Sequence, residues 1–295
     1  MSKRKDLRKL IEGQNIVMVP GCYDAFTAIV IESVGFPAIG VSGFGLASTL
    51  GFPDVGLTTM SEVLSRVDRI VDSVNIPVIA DIDTGYGGII NAIRTIHEFE
   101  KIGVAAVHVE DQIFPKKCGS MRGKQLVSKA EMISRLHAIL DERHDRDFVV
   151  IARTDALGVS GFDDAVERSM AYQEAGADVI FLHGPRSLEE ITKFCKAIKI
   201  PVMIGTAETT RWVRKQRIWT AEEVSRAGVK IVTYATSMMY AAAKAMKDTL
   251  IEIKTKGTPD GILHNMMHMT EFTGLLKLES IYEKESRYAC NMEEL

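Results

Sequence analysis

The stretch IPVIADIDTGYGG, residues 76–88, runs from an apolar pentad straight into two carboxylates and a glycine-rich turn. The pentad does not alternate polar with apolar residues, which marks a strand covered on both faces. Its charged exit marks a strand end that meets something polar. The same phrase, a small-residue turn and then four to six apolar residues closing on a polar one, recurs along the chain. It is seen in SVGFPAIGVSG (33–43), KIGVAAVHVED (101–111), DRDFVVIARTD (145–155), EAGADVIFLHG (174–184), AIKIPVMIGT (197–206) and RAGVKIVTYAT (226–236). With NIVMVPGCYD (15–24) this predicts eight strands, near residues 16–20, 37–42, 77–81, 104–109, 148–152, 178–182, 200–205 and 229–233. Between them, SEVLSRVDRIVDSV, NAIRTIHEFEKI, KAEMISRLHAILDER and DAVERSMAYQEA place apolar residues at helical spacing. Eight strand–helix units in 295 residues predict an α/β chain folded as a (β/α)8 TIM barrel. The rival is a doubly wound open sheet, but no G-x-G-x-x-G turn follows the first strand.

Composition narrows the function. Basic and acidic residues number 36 and 39, a formal charge of −3, so no global field favours nucleic acid or an anionic membrane. The opening MSKRKDLRKLIEGQ lacks an apolar core of signal length and no segment is apolar for a membrane span, so a cytoplasmic protein is expected. Cys22, Cys118, Cys195 and Cys290 have no paired spacing, which argues against a disulfide framework or a zinc knuckle. No linker splits the chain, so residues 1–295 are expected to form a single barrel domain with a C-terminal helical extension from about 235 to 295. That extension, SMMYAAAKAMKDTLIEIKTKG and LLKLESIYEKESRY, carries apolar residues that need either a neighbouring subunit or the same barrel to pack on.

Barrel chemistry gathers at the C-terminal strand ends. Here those ends offer Ser42, Asp81 with Asp83, Glu110 with Asp111, Arg153, His183 and Thr206. On an extended chain Asp81 and Asp83, two residues apart, share a face, and two such carboxylates are relieved by a shared proton or a hard cation. With Glu110 the donor set is all oxygen, which suits Mg²⁺. After the fourth strand, FPKKCGSMRGK (114–124) combines Gly119 and Gly123 with Lys116, Lys117, Arg122 and Lys124, a flexible basic loop able to close over an anionic substrate. Cys118 amid these cations is expected to have a somewhat depressed pKa while remaining largely a thiol, able to donate a proton or, ionised, to attack.

ADIDTGYG (80–87), VEDQ (109–112), FPKKCG (114–119) and IARTDA (151–156), in this order and spacing, resemble the isocitrate lyase and phosphoenolpyruvate mutase superfamily, and most of all its short-chain methylisocitrate lyase group. The resemblance runs from about residue 15 to 245. It implies a barrel whose last helix is exchanged between subunits, in a homotetramer built as a dimer of helix-swapped dimers. It also implies Mg²⁺, or Mn²⁺ in its place, held at the mouth by Asp81 and Asp83 directly or through water, with Glu110 further out. A small carboxylate substrate would meet Ser42, Gly43 and Phe44, with Arg153 on another oxygen and Gly119, Ser120, His183 and Thr206 completing the surround. Asp54, in GFPDVG (51–56), matches a family loop aspartate near the reacting centre, and Lys116 and Cys118 lie on the gate. The implied reaction cleaves the C2–C3 bond of a 2-hydroxy acid of methylisocitrate or 2,3-dimethylmalate type, with Cys118 protonating the carbanion. Asp54, Lys116 or a metal-bound water remain open as the base.

Three positions depart from the lyase pattern. Ser120 stands where the lyases have histidine, His183 where they have glutamate, and Gly205 where they commonly have asparagine. These losses favour a substituted malate over methylisocitrate. His183 and the SGF after strand two also resemble the phosphonate branch of the superfamily, so phosphonomutase or phosphonate hydrolase chemistry is the alternative. A non-catalytic binding barrel is a third reading, against which the acidic pair and the gate cysteine argue. HNMMH (264–268) has metal-helix spacing but lacks the glutamate of a zinc protease motif, and RWVRKQR (211–217), with Arg211, Arg214, Lys215 and Arg217, reads as a solvated loop.

Overall fold

A computed structural model describes residues 2–206, 208, 211 and 215–289. Arg214 and Cys290 therefore lie outside the described residues. Eight parallel strands close into a barrel in chain order: β1 (Val17–Cys22), β2 (Ile39–Val41), β3 (Val78–Asp81), β4 (Ala106–Glu110), β5 (Val149–Thr154), β6 (Val179–Leu182), β7 (Val202–Gly205) and β8 (Ile231–Tyr234). All eight expected strands are present, displaced by one or two residues at their ends. The helices that follow are α2 (Ala25–Ser33), α3 (Gly43–Thr49), α4 (Met60–Ser73), α5 (Ile89–Lys101), α6 (Lys129–Glu142), α7 (Phe162–Glu174), α8 (Leu188–Ala197) and α9 (Ala221–Arg226). Capping boxes at Asp24, Thr59 and Thr220 satisfy the first turns of α2, α4 and α9.

Alternation along the strands divides the core in two. Val149 and Ile151 of β5, and Val179 and Phe181 of β6, fill the barrel interior with Val17, Val19, Ile79, Ala106, Met203 and Ile231. Val150, Ala152, Ile180 and Leu182 face outward into the strand–helix layer. Helix α1 (Lys3–Glu12), not foreseen from the sequence, closes the N-terminal end: Leu7 is fully buried among the interior residues, with Leu10 and Ile11 beside it.

The chain divides into two compact units, residues 1–239 and 240–295. The first is the barrel. The second is helical: α10 (Ser237–Lys256) continues into it, followed by a 3-10 turn (Asp260–Asn265), α11 (Met269–Leu275) and α12 (Leu278–Tyr288). No residue of these three α-helices is buried. Among the described residues no helix is long and apolar enough to cross a membrane.

Candidate active site

The inward set of each strand continues past the apolar interior into polar residues at the C-terminal mouth. On β5 it reads Val149, Ile151, Arg153; on β6 Val179, Phe181, His183; on β4 Ala106, His108, Glu110; on β3 Ile79, Asp81. The one-residue step to the other face explains Asp111. Its carboxylate accepts from Thr154 Oγ1 at 2.8 Å, Asp155 N at 3.0 Å and Tyr172 Oη at 2.9 Å. It anchors α7 and takes no part in the mouth. A cavity of about 100 Å³ lies there, lined by Ser42, Phe44, Asp54, Asp81, His108, Cys118, Gly119, Ser120, Arg153, His183, Gly205 and Thr206, among others.

Asp81 and Asp83 converge, but not by the extended alternation expected. Asp83 lies beyond β3 with φ +49°, and its N–H folds back to donate to Asp81 Oδ1 at 3.0 Å. Both carboxylates rest against Gly43: a Cβ there would stand 2.8 Å from Asp81 Oδ2 and 3.5 Å from Asp83 Oδ1. Only glycine admits that approach. Ser42 caps α3 by accepting from Gly45 N at 3.2 Å, and its own N–H donates to Cys22 O, so its hydroxyl proton is what it offers to the cavity.

Lys116 is 2 % exposed and lies 2.5 Å from Asp83 Oδ1 and 2.6 Å from Asp54 Oδ1. Burial pulls its ammonium down, but Asp83, Glu110, Asp81 and Asp54 outweigh this and hold its pKa well above the ordinary value. Burial also acts on the acids. It pushes Asp83 up to about 6 and Glu110 well above the carboxylate range. For Asp81 the opposing charges of His108, Lys116 and Arg153 win, and its carboxyl ends below its usual value. Glu110 faces Arg153 Nη1 at 3.0 Å through Oε2, while Oε1 is buried with no hydrogen-bond partner. An orphaned carboxylate oxygen in an all-oxygen donor set fits a hard divalent cation. Among the described residues no three His, Cys, Asp or Glu side chains converge closely enough to ligate one ion directly.

The gate reverses two expectations. Two of its cations turn inward onto the protein's own acids, Lys116 as above and Lys124 to Asp155 Oδ1 at 2.9 Å and to Gly119 O; Lys117 donates to Gly123 O within the loop, and Arg122 is exposed. Cys118 is not depressed. Burial first and Asp54 second raise its thiol above the ordinary value, against the weaker pull of Arg153 and Lys116. Cys118 therefore stands as a thiol rather than a thiolate.

His183 is neutral: burial pulls it down to about 3, against the nearby Asp155. Its Nδ1 stands 3.4 Å from Asp155 Oδ1. Thr206 is buried on the cavity wall with its hydroxyl donating to Thr233 O, and Ser120 lines the rim. Sequence reasoning missed His108, 3.5 Å from Asp81 Oδ1, and Asp155, on which Arg153, Lys124 and Gln112 converge. His108 was legible as the strand residue two before Glu110, on the same face. The other motifs serve structure. Arg211 is not solvated but buried, donating to Thr206 O at 3.0 Å and Pro185 O at 2.6 Å and stacking over Trp219 at 3.5 Å. His268 caps α11 by accepting from Thr270 N.

Comparison with known proteins locates this arrangement. The sequence model described as phosphoenolpyruvate phosphomutase matches residues 7–254. A 2,3-dimethylmalate lyase of Eubacterium barkeri is 41% identical over 290 residues, spanning 98% of this chain and 99% of that one. A 2-methylisocitrate lyase of Aeropyrum pernix is 40% identical over 289 residues, 98% of this chain and 92% of its own. The structure of a phosphonopyruvate hydrolase in complex with oxalate and Mg²⁺ superposes with a TM-score of 0.86 at 31% identity, covering 98% of this chain and 99% of that one.

Proposed function

The chain belongs to the phosphoenolpyruvate phosphomutase family, and from that premise we propose that it is a Mg²⁺-dependent carbon–carbon lyase. Its substrate is a methyl-substituted 2-hydroxy dicarboxylate of 2,3-dimethylmalate type, cleaved to a 2-oxo acid such as pyruvate and a carboxylic acid. The observation that carries this reading is one cavity bringing together Asp81, with Asp83 packed beside it at Gly43, the Arg153 guanidinium and the Cys118 thiol. Asp81 and Asp83 would hold the ion, directly or through water, with Glu110 behind them; Mn²⁺ suits the same oxygens. When bound, the ion supplies Lewis-acid stabilisation of negative charge on the substrate oxygens.

The remaining roles follow from the chain. Ser42, with the Gly43 and Phe44 backbone beside it, receives one substrate carboxylate, and Arg153 the other. Breaking the C2–C3 bond leaves its electron pair on C3, and the Cys118 S–H proton goes there as the gate excludes water. Lys116, an ammonium held between two carboxylates, neutralises charge and does not take the hydroxyl proton, which leaves Asp54 as the acceptor among the chain's own groups. Among the described residues lining the cavity Arg153 is the one permanent cation, while Phe181, Met203, Ile79 and Ala235 are apolar and Glu208 is acidic. A third carboxylate would find no second cation there, whereas methyl groups would find apolar wall.

Assaying 2-oxo acid release from 2,3-dimethylmalate, methylisocitrate and related 2-hydroxy acids with Mg²⁺ tests the proposal; cleavage of the dimethylmalate in preference is expected, and no cleavage of any would reject it. His183 favours one alternative, phosphonate rearrangement or hydrolysis, for which phosphorus NMR with phosphonopyruvate or phosphoenolpyruvate is decisive. For the assembly we propose a cytoplasmic homotetramer with the C-terminal extension swapped between subunits of one barrel domain each. Met246, Leu250 and Ile253 support it, being exposed apolar residues on one face of α10. Light scattering should return four times the monomer mass.

A further inference from the structure

The gate and the substrate-facing side chains share one buried carboxylate. Asp155, fully buried just past β5, accepts through Oδ2 from Arg153 Nε at 3.0 Å and from Gln112 Nε2 at 3.2 Å. Its Oδ1 accepts from Lys124 Nζ at 2.9 Å and faces His183 Nδ1 at 3.4 Å. Two of these partners, Arg153 and His183, look into the cavity. The other two hold the gate, Lys124 from its end and Gln112 from the buried step after β4. Lys124 also donates to Gly119 O, and Gln112 clamps Lys117 through its N–H at 2.9 Å and its carbonyl at 2.8 Å. Gly119 completes the contact, since a Cβ there would lie 2.3 Å from His183 Cε1 and 2.6 Å from Arg153 Nη2. The gate backbone thus lies directly on the imidazole and the guanidinium. Asp155 itself is fixed from the other side, its N–H donating to Asp111 Oδ1 at 3.0 Å.

We propose that Asp155 is a positioning residue that couples closure of the gate to occupation of Arg153 by a carboxylate. A buried carboxylate needs cationic partners. With the gate open, Lys124 is withdrawn and Asp155 depends more heavily on Arg153. With the gate closed, Lys124 shares that charge and loosens the hold of Asp155 on Arg153 Nη2, which stands 3.0 Å from Asp155 Oδ2 without a hydrogen bond and can turn to a ligand, while Nη1 stays 3.0 Å from Glu110 Oε2. A ligand carboxylate on Arg153 correspondingly favours the return of Lys124, because linkage is reciprocal. The inference rests on the reading of the cavity as a carboxylate site.

The test uses oxalate with Mg²⁺ as the probe. Two quantities are measured on the full-length protein: oxalate affinity by calorimetry, and the rate of Cys118 alkylation by iodoacetamide, followed on the Cys118 peptide by mass spectrometry. In the wild type, saturating oxalate should slow Cys118 alkylation about tenfold or more as the gate population shifts shut. In Asp155→Asn, and in Lys124→Gln, which leaves the barrel interior untouched, saturating oxalate should protect Cys118 less than about twofold, and oxalate affinity should fall by the same factor as the protection, about fivefold to tenfold. Turnover should fall in kcat as well, because the gate no longer stays shut over the bound substrate. Protection retained in both variants at saturating oxalate overturns the coupling, as does an affinity loss far larger than the loss of protection, the pattern of damage to the ligand site itself. Wild-type binding without protection overturns it too. Failure of the wild type to bind oxalate at all removes the carboxylate site, and the coupling with it.

Discussion

The two ends of the barrel handle charge in opposite ways. At the N-terminal end α1 plugs the interior with Leu7, and its arginines reach outward: Arg4 to Asp145 at 2.8 Å and Arg8 to Asp178 at 3.0 Å, in pairs that keep some solvent contact. At the C-terminal end Asp81, Asp83, Glu110, Lys116, Arg153 and Asp155 are all buried, and Glu110 Oε1 has no hydrogen-bond partner. The first end is what a stable protein builds, an apolar stopper with screened charges at its rim. The second is costly to fold, because buried ions lose hydration that their partners only partly replace. The contrast separates a stabilising end from a reactive one within a single sheet.

Substitutions at each end should therefore fail differently. Asp83→Asn should lower kcat with Mg²⁺ by about a thousandfold or more, the largest effect expected, while the melting temperature holds or rises because burial, which pushes its carboxyl up to about 6, no longer opposes a charge there. Steady-state assay beside thermal unfolding checks both halves. Cys118→Ser should reduce turnover by about a hundredfold, within the range of a lost general acid, and leave substrate-analogue affinity in place. At the other end Leu7→Ala should cost about 2–5 kcal/mol in urea unfolding with kcat unaltered. A stability loss confined to the mouth residues would break the comparison.

His183 supplies a subtler distinction. Its pKa in the folded protein, about 3, lies below that of the unfolded chain, so as pH falls the unfolded state takes the proton first. The stability it permits is complete above about 6.5 and is lost progressively toward 3. Between pH 7 and 5 the wild type should lose about 2 kcal/mol relative to His183→Gln, measured by denaturant unfolding at each pH. A gap independent of pH would mean that the imidazole titrates alike in the folded and unfolded chain. Smallest of all, Arg4→Ala should shift stability by less than about 1 kcal/mol and leave activity alone.

Much of this was readable before the coordinates. Runs such as VVIAR and VIFLH announce strands because both faces are covered, and the first polar residue after each run marks the mouth: Arg153 and His183 followed directly. What escaped depended on distance through space. Asp155 gathers Gln112 and Lys124, 43 and 31 residues away, and nothing in RTDA says where the gate will lie. Basic composition in the gate suggested affinity for a substrate, whereas its lysines meet the protein's own acids and carbonyls. The thiol was misjudged for the same reason, since counting cations along the chain ignores burial and Asp54. Asp81 and Asp83 met as expected but by a left-handed turn, which a simple alternation rule does not contain.

Lys116 reaches into the acidic pair from the gate, on a tether of its own chain. Asp54 and Asp83 thus possess a counter-ion that no chelator can strip. Treatment with EDTA should abolish catalysis and scarcely move the melting curve, so the purified protein can be stored metal-free and reactivated by adding salt.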